Sequence, residues 1–201
     1  MMIRISLFDD MSLCTECEVE RMLPLVPEPR RGKALSFKHT FGQFACLKSY
    51  LMLAELLRSE FGLEKFNIEA GEHGKPFLTA HPEIHFSISH CQKAIAVAVS
   101  DKPVGIDVES FRNYNEGLLE KTMNAEERSE ILSSDIPARI FSMYWTRKEA
   151  VFKLHGTGIT DNLHGILTDK TMTDTVINRE KGYAASVAVY SSDGLSQPCW
   201  L

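Results

Sequence analysis

Apolar residues recur at helical intervals in one long stretch of this chain, and shorter stretches alternate apolar and polar residues. The clearest helical repeat runs from Phe44 to Leu57 and predicts one long core helix that ends at Gly62. Thr40 and Gln43 precede it at capping-box spacing. A second long helix is expected over residues 137–155, after a shorter helix capped by Asn124.

Strands are predicted around these helices, with a hairpin turn at residues 91–93. The predicted strands cover residues 2–8, 66–69, 76–79, 84–89, 94–100, 104–109, 165–168, 175–178 and 184–190. Asp101-Lys102-Pro103 is a turn sequence between the two groups of elements. We therefore expect an α+β protein with an N-terminal half at 1–102 and a C-terminal half at 103–201.

Composition narrows the function classes. The chain has 201 residues, of which 44% are hydrophobic and 24% charged, as is ordinary for a globular protein. Its apolar runs are too short to cross a bilayer, and its N-terminus lacks a signal-peptide core, so a cytoplasmic protein without membrane association is expected. A net charge of −5 argues against nucleic acid as the main partner. Five scattered cysteines do not suggest a disulfide framework.

The strand at 104–109 carries the first candidate chemistry. Alternation turns Val104, Ile106 and Val108 toward a core and places Asp107 and Glu109 on the opposite, open face. Two carboxylates at a strand end suit Mg²⁺, which usually takes one or two protein carboxylates plus water and phosphate. Taken alone, such a pair is more often solvated or salt-bridged surface.

A third carboxylate lies in the second long helix. Glu149 precedes Lys153 by four residues and shares a helix face with it. This pair is either an ordinary surface ion pair or part of a site in which Lys148 and Lys153 offset three carboxylates, so that a phosphate can bind.

Four motifs occur in a fixed order and together are specific. They are Gly74-Lys75-Pro76, Phe86-Ser87-Ile88-Ser89-His90, Val104-Gly105-Ile106-Asp107-Val108-Glu109, and Trp145-Thr146-Arg147-Lys148-Glu149-Ala150-Val151-Phe152-Lys153 with Gly156-Thr157-Gly158 following. From about Lys33 to the C-terminal strand, the chain resembles a 4′-phosphopantetheinyl transferase of the surfactin-synthetase-activating type.

The resemblance implies two similar α+β halves related by a pseudo-twofold axis, with the active site in the cleft between them. It implies Mg²⁺ held by Asp107, Glu109 and Glu149, and coenzyme A as co-substrate. A serine hydroxyl of an apo acyl or peptidyl carrier protein would take the phosphopantetheine arm and release 3′,5′-ADP. Glu149 would accept the serine proton directly or through a metal-bound water, and Lys153 would stabilise developing charge.

The same resemblance implies that Lys75, Ser89, His90 and Lys153 contact coenzyme A, while Lys148 contacts phosphate or only solvent. The chain departs from the family pattern at Gln43, where relatives often carry an arginine for the 3′-phosphate. The groups that could replace that arginine are Lys75, His90, Lys33, Lys38 and His39.

Two other functions stay open at the level of sequence. A binding module for coenzyme A or a carrier would not need all three carboxylates. A metal-dependent phosphohydrolase would consume coenzyme A without any carrier. The pathway of the carrier is not specified by the sequence, and two halves that enclose their own cleft favour a monomer.

Overall fold

Two antiparallel sheets and two long helices dominate the computed structural model, which describes residues 2–71, 73–156, 163–193 and 199–200. The helices are α1 Glu16–Met22, α2 Glu28–Leu35, α3 Thr40–Phe61, α4 Glu116–Thr122, α5 Ala125–Ser133 and α6 Pro137–His155. The strands are β1 Ile3–Phe8, β2 Ile68–Ala70, β3 Pro76–Leu78, β4 His85–Cys91, β5 Ala94–Ser100, β6 Gly105–Ser110, β7 Thr171–Asn178, β8 Tyr183–Tyr190 and β9 Cys199–Trp200.

Both halves use the same order of principal elements. In each, a first strand leads to a long helix and then to a hairpin whose second strand becomes the central strand. This gives the orders β4-β5-β1 and β6-β8-β7. The predicted α+β fold is confirmed, and the shared order supports two similar halves. The pseudo-twofold axis stays a prediction. One strand crosses between the halves, because β9 pairs in parallel with β1.

The core has four layers, in the order α3, first sheet, second sheet, α6. Helix α3 packs on the face of β5 that carries Ile95, Val97 and Val99. The opposite face of β5 is built from alanines and packs against the apolar face of the second sheet. Helix α6 then covers the outer face of that second sheet. Burial on both faces explains why every residue of β5 is buried.

Glycine at position 105 lets α6 approach β6 closely. A Cβ atom there would lie 2.0 Å from the carbonyl oxygen of Ala150 and 2.4 Å from the nitrogen of Leu154. Both contacts are with backbone, which has no rotamer to move away. The close approach brings the polar residues of β6 next to those of α6.

The observed helix boundaries confirm some of the helix ends predicted from the sequence and correct others. Helix α3 ends at Gly62, whose φ of +65° is the left-handed conformation common after helices. Its N-cap is His39, so the expected capping box is wrong, and Gln43 Nε2 instead donates to the carbonyl of Phe37 over 2.9 Å. Asn124 does cap α5, in a complete capping box with Glu127.

Other differences concern the loops. The predicted strand at 165–168 is wrong: these residues form turns, and β7 begins only at Thr171. The segment between β6 and α5 contains α4, and the segment between β1 and α3 contains the short helices α1 and α2. The hairpin between β4 and β5 is confirmed. In the part of the chain that the structure describes, no helix has the length and apolar character needed to cross a membrane.

Candidate functional site

Strand β6 alternates as expected, but its polar face is not open. Val104, Ile106 and Val108 are fully buried between the sheets. Asp107 is only 4% exposed, because α6 covers that face of β6. The expectation of an open face is therefore wrong for Asp107, while Glu109 is half-buried.

Asp107 is held by residues from both halves of the protein. Its Oδ1 accepts a hydrogen bond of 2.8 Å from Ser89 Oγ on β4 and another of 2.7 Å from Lys153 Nζ on α6. Its Oδ2 is buried and, among the described residues, receives no hydrogen bond. A buried carboxylate oxygen without a donor is unfavourable, so this oxygen needs a partner beyond those that the described residues supply.

The other two predicted carboxylates interact electrostatically with Asp107. Burial and the charge of Asp107 raise the pKa of Glu109. The same two causes raise the pKa of Glu149 to about 7, although Lys153 opposes the shift. Three carboxylates thus concentrate more negative charge than Lys153 offsets, and two of them bind protons more tightly than usual.

This donor set fits Mg²⁺. Hard carboxylate oxygens are its preferred protein ligands, and a dication would relieve both the unpaired Oδ2 and the mutual repulsion. The described residues do not form a preassembled centre, since no group of three or more His, Cys, Asp or Glu side chains within them is close enough to hold a metal. The assignment of Asp107, Glu109 and Glu149 as ligands therefore stays a prediction.

A cleft of about 230 Å³ lies beside these carboxylates, between the two halves. The loop before β3 and strand β4 form one side, and α6 forms the other. The cleft is lined by His73, Gly74, Lys75, Pro76, Phe86, Ser87, Ile88, Glu149, Phe152, Lys153 and Gly156. Within the motif that follows α6, Gly156 is described, while Thr157 and Gly158 lie outside the described residues.

Lys75 reaches the cleft, but its ammonium group is already engaged. Nζ donates to the carbonyl oxygen of Leu154 over 2.9 Å and lies 3.5 Å from that of Val104. Desolvation lowers the pKa of Lys75. In this arrangement the side chain joins the N-terminal half to the last turn of α6, and its stem contacts Gly156.

His90 lies at the exposed edge of the site, on β4. Its ring meets that of Phe41 edge to face, with centroids 5.7 Å apart. Partial desolvation and the charge of Lys153 lower the pKa of His90. The imidazole is therefore neutral near pH 7, when it can donate one hydrogen bond.

The structure corrects the expectation for Lys148. This lysine is fully buried, and its Nζ donates to Glu127 Oε2 and to the carbonyl oxygen of Leu163, each over 2.7 Å. Its position on α6 turns it toward α5, away from the carboxylates. Lys148 therefore joins α5 and the segment at Leu163 to α6, and its ammonium group is not exposed to solvent.

Sequence reasoning missed two residues near the site. Ser87 Oγ accepts the backbone N–H of Ile106 over 3.1 Å. Arg112 lies over the ring of Trp145, and its charge partly offsets the rise in the pKa of both Glu109 and Glu149. The i, i+2 spacing of Ser87 and Ser89 was a signal that both face one side, but their partners come from a strand distant in sequence.

Hydroxyl groups fix α6 on the second sheet. Thr146 Oγ1 lies 2.7 Å from Ser186 Oγ, which lies 2.9 Å from Thr175 Oγ1. Arg147 Nε donates to Thr175. This buried chain of contacts sets the position of the helix one turn before Glu149.

Comparison with known proteins agrees with this geometry. Residues 103–195 match the model of the 4′-phosphopantetheinyl transferase superfamily. This range contains β6 and α6 with all three carboxylates. The C-terminal part of the chain is therefore similar to the 4′-phosphopantetheinyl transferase superfamily.

Curated members of this superfamily align over most of the chain. A 4′-phosphopantetheinyl transferase of Bacillus subtilis is 29% identical over 147 residues, which are 71% of this chain and 66% of that protein. The transferase psf-1 of Bacillus pumilus is 29% identical, covering 73% of this chain and 64% of that protein. The transferase gsp of Aneurinibacillus migulanus is 30% identical, covering 64% and 57%. The matches thus span between 57% and 66% of the length of these relatives, which is less than two thirds. It confirms the resemblance that the motifs indicated.

Proposed function

We propose that this protein transfers the 4′-phosphopantetheine arm of coenzyme A to a serine hydroxyl of an apo acyl or peptidyl carrier protein. The reaction is Mg²⁺-dependent and releases 3′,5′-ADP. Similarity to the superfamily supports the reaction class. The side chains of Glu149 and Lys153 in the cleft, with Asp107 and Glu109 beside it, support the chemistry.

Glu149 is the observation that carries this proposal. It lines the cleft between the halves, and burial and the nearby carboxylates raise its pKa to about 7. Because a bound cation would lower this pKa, it is the place of Glu149 in the cleft, beside Lys153, that supports a role as general base. Serine is a weak nucleophile without such a base, so Glu149 is suited to accept its proton, directly or through water.

The bond changes place separate demands on the site. The serine oxygen forms a bond to the phosphorus that carries pantetheine, and the bridging P–O bond to 3′,5′-ADP breaks. The serine proton goes to Glu149. Lys153, whose side chain is 31% exposed, lies where it can offset charge on the leaving phosphate. When bound, Mg²⁺ would neutralise pyrophosphate charge and be held by Asp107, Glu109 and Glu149.

The cleft can hold only part of coenzyme A. Its volume of about 230 Å³ is below the roughly 300–1,000 Å³ typical of drug-sized ligands. Apolar walls at Phe86, Ile88 and Phe152 suit the less polar parts of the molecule, while His90, at the exposed edge of the site, would contact its phosphates. The N-terminal half, 1–102, would contact the nucleotide, and the C-terminal half, 103–201, would supply the carboxylates and the catalytic helix. A monomer has both halves of the cleft.

Intact-mass spectrometry tests the proposal directly. The protein is incubated with coenzyme A, Mg²⁺ and a panel of apo carrier proteins. We expect at least one carrier to gain a single phosphopantetheine arm, and we expect no gain with EDTA or with a carrier whose acceptor serine is replaced by alanine. Asp9→Asn, which changes a carboxylate remote from the cleft, should retain the activity.

The same experiment separates the competing functions. Cleavage of coenzyme A at the same rate without a carrier would identify a phosphohydrolase. Binding of coenzyme A without cleavage, with every carrier in the panel, would identify a binding module. Either result would overturn the transferase proposal.

A further inference from the structure

Strands β4 and β6 are the adjoining edges of the two sheets, yet they share no backbone ladder. Strand β4 lies at one end of its sheet, and β6 lies at one end of the other. They are in close contact. Two serine side chains of β4 connect them instead, Ser87 to the Ile106 N–H and Ser89 to Asp107 Oδ1.

The two serines do different things. Ser87 satisfies a backbone N–H of β6 and so holds the strand. Ser89, which is 7% exposed, donates to one carboxylate oxygen and so sets the rotation of the Asp107 side chain. A buried carboxylate with one oxygen held by two donors must present its other oxygen elsewhere. That other oxygen is the unpaired Oδ2.

We infer that Ser89 is a positioning residue for the metal site, which selects Oδ2 of Asp107 as the oxygen offered to the cation. This inference rests on the proposed function, because it takes the carboxylates as the Mg²⁺ site. It assigns Ser89 a role different from a direct phosphate ligand. The hydroxyl of Ser89 donates its proton to a hydrogen bond with Asp107. Because this donor is neutral, it orients the carboxylate without competing with a cation by charge.

Lys153 does not replace Ser89 in this role. Its ammonium donates to the same Oδ1, but its longer side chain is 31% exposed, while Ser89 on β4 is only 7% exposed. Groups that orient metal ligands typically change metal affinity about 10- to 100-fold when removed. Losing Ser89 should therefore weaken the cation site even with Lys153 present.

The test measures binding of Mn²⁺, as a spectroscopic substitute for Mg²⁺, to the full chain by electron paramagnetic resonance, with and without coenzyme A. Ser89→Ala should lower the Mn²⁺ affinity about 10- to 100-fold without coenzyme A. Ser89→Thr, which keeps the hydroxyl, should recover most of it. Coenzyme A binding in EDTA should be unchanged by Ser89→Ala.

Ser87→Ala is the matched control, since it removes the same atom from the same strand face. It should lower the thermal unfolding midpoint and leave the Mn²⁺ affinity within about twofold of wild type. An equal loss of affinity in both variants would mean that Ser89 only holds the strands together. That result would overturn the inference.

Two further outcomes would also overturn it. Unchanged Mn²⁺ affinity with weaker coenzyme A binding in Ser89→Ala would make Ser89 a phosphate ligand. A wild-type protein that binds no Mn²⁺ with or without coenzyme A would show that the metal site does not exist.

Failure of carrier modification together with the expected Mn²⁺ pattern would instead reject the transferase function and leave this inference standing. Circular dichroism of each variant verifies folding, and Ser89→Thr keeps the test available if Ser89→Ala unfolds.

Discussion

Two aspartates connect the halves of the protein, and only one of them is fully paired. Asp9, just after β1, accepts hydrogen bonds on both carboxylate oxygens, from Lys181 and from Tyr183 and Asn178. Asp107 accepts on Oδ1 alone.

The electrostatic consequences have opposite signs. Partial burial would raise the pKa of Asp9, but its hydrogen bonds and the charge of Lys181 outweigh burial and lower it. Around Asp107, burial and like charges raise the pKa of Glu109 and Glu149. A carboxylate whose donors come from the protein stabilises the fold, whereas carboxylates left in mutual repulsion are prepared for an external cation. The contact between the halves at Asp9 is structural, and the contact at Asp107 is part of the candidate active site.

The largest expected effect comes from Glu149→Gln. The amide keeps the shape of the side chain but cannot act as the base, so kcat for carrier modification should fall by about 10²–10⁴. Coenzyme A should still bind, more weakly. Single-turnover rates and calorimetric binding measure the two effects separately. Asp9→Asn, at the structural contact between the halves, should turn over at the wild-type rate, and a normal single-turnover rate in Glu149→Gln would exclude the residue from the chemistry.

Gly105→Ala should push α6 away from β6 and so disrupt the candidate active site. The new methyl group would collide with the backbone of α6, and overpacking of this kind costs up to about 3 kcal/mol. Urea unfolding measures the loss. Gly32→Ala is the matched control, because nothing lies within 4 Å of its Cβ and alanine favours the α2 helix. Equal stability of the two variants would show that β6 and α6 are not in such close contact.

The pH dependence of stability should reveal the repulsion around Asp107. The pKa of Glu149 is raised from 4.5 to about 7 in the folded protein, so folding binds a proton more tightly. Its contribution is fully present below pH 4.5 and is lost as the pH rises through about 7. In EDTA the free energy of unfolding should therefore fall across this window, by on the order of 2 kcal/mol after allowance for partial exposure.

Glu149→Gln should flatten that fall, and added Mg²⁺ should raise the stability of the wild-type protein above pH 7. Thermal unfolding between pH 4.5 and 8 measures both. Identical profiles for wild type and variant would mean that Glu149 titrates normally.

The smallest expected effect on stability comes from the contact between the halves at Asp9. Asp9→Asn should destabilise the protein by about 1 kcal/mol near neutral pH, since its partner Lys181 is 45% exposed and the ion pair is screened. Because the pKa of Asp9 is lowered from 3.8, its contribution is present above that value and is lost as the pH falls below it. A double-mutant cycle with Lys181→Met measures the coupling. A coupling energy near zero would mean that the ion pair of Asp9 and Lys181 is no stronger than an isolated surface pair.

Local sequence patterns were sufficient for much of this molecule. Apolar spacing predicted α3, Gly156 marked the end of α6, the turn at 91–93 predicted the β4–β5 hairpin, and alternation assigned Val104, Ile106 and Val108 to the core. These features depend on neighbours within a few residues. The order of the four motifs also indicated the resemblance to the transferases and, with it, the three carboxylates as candidate ligands.

Only the tertiary structure decided which charged groups are free to act. Lys148 and Lys153 look alike in sequence, yet one is fully buried on Glu127 and the other contacts Asp107 at the cleft. Residues five positions apart on a helix face different directions, and what each meets depends on elements distant along the chain. The burial of Asp107 likewise comes from α6, and the donor on its Oδ1 comes from β4 in the other half. The sequence by itself determined which residues are candidates for the chemistry, and packing between the halves determined which of their atoms lack a partner among the described residues.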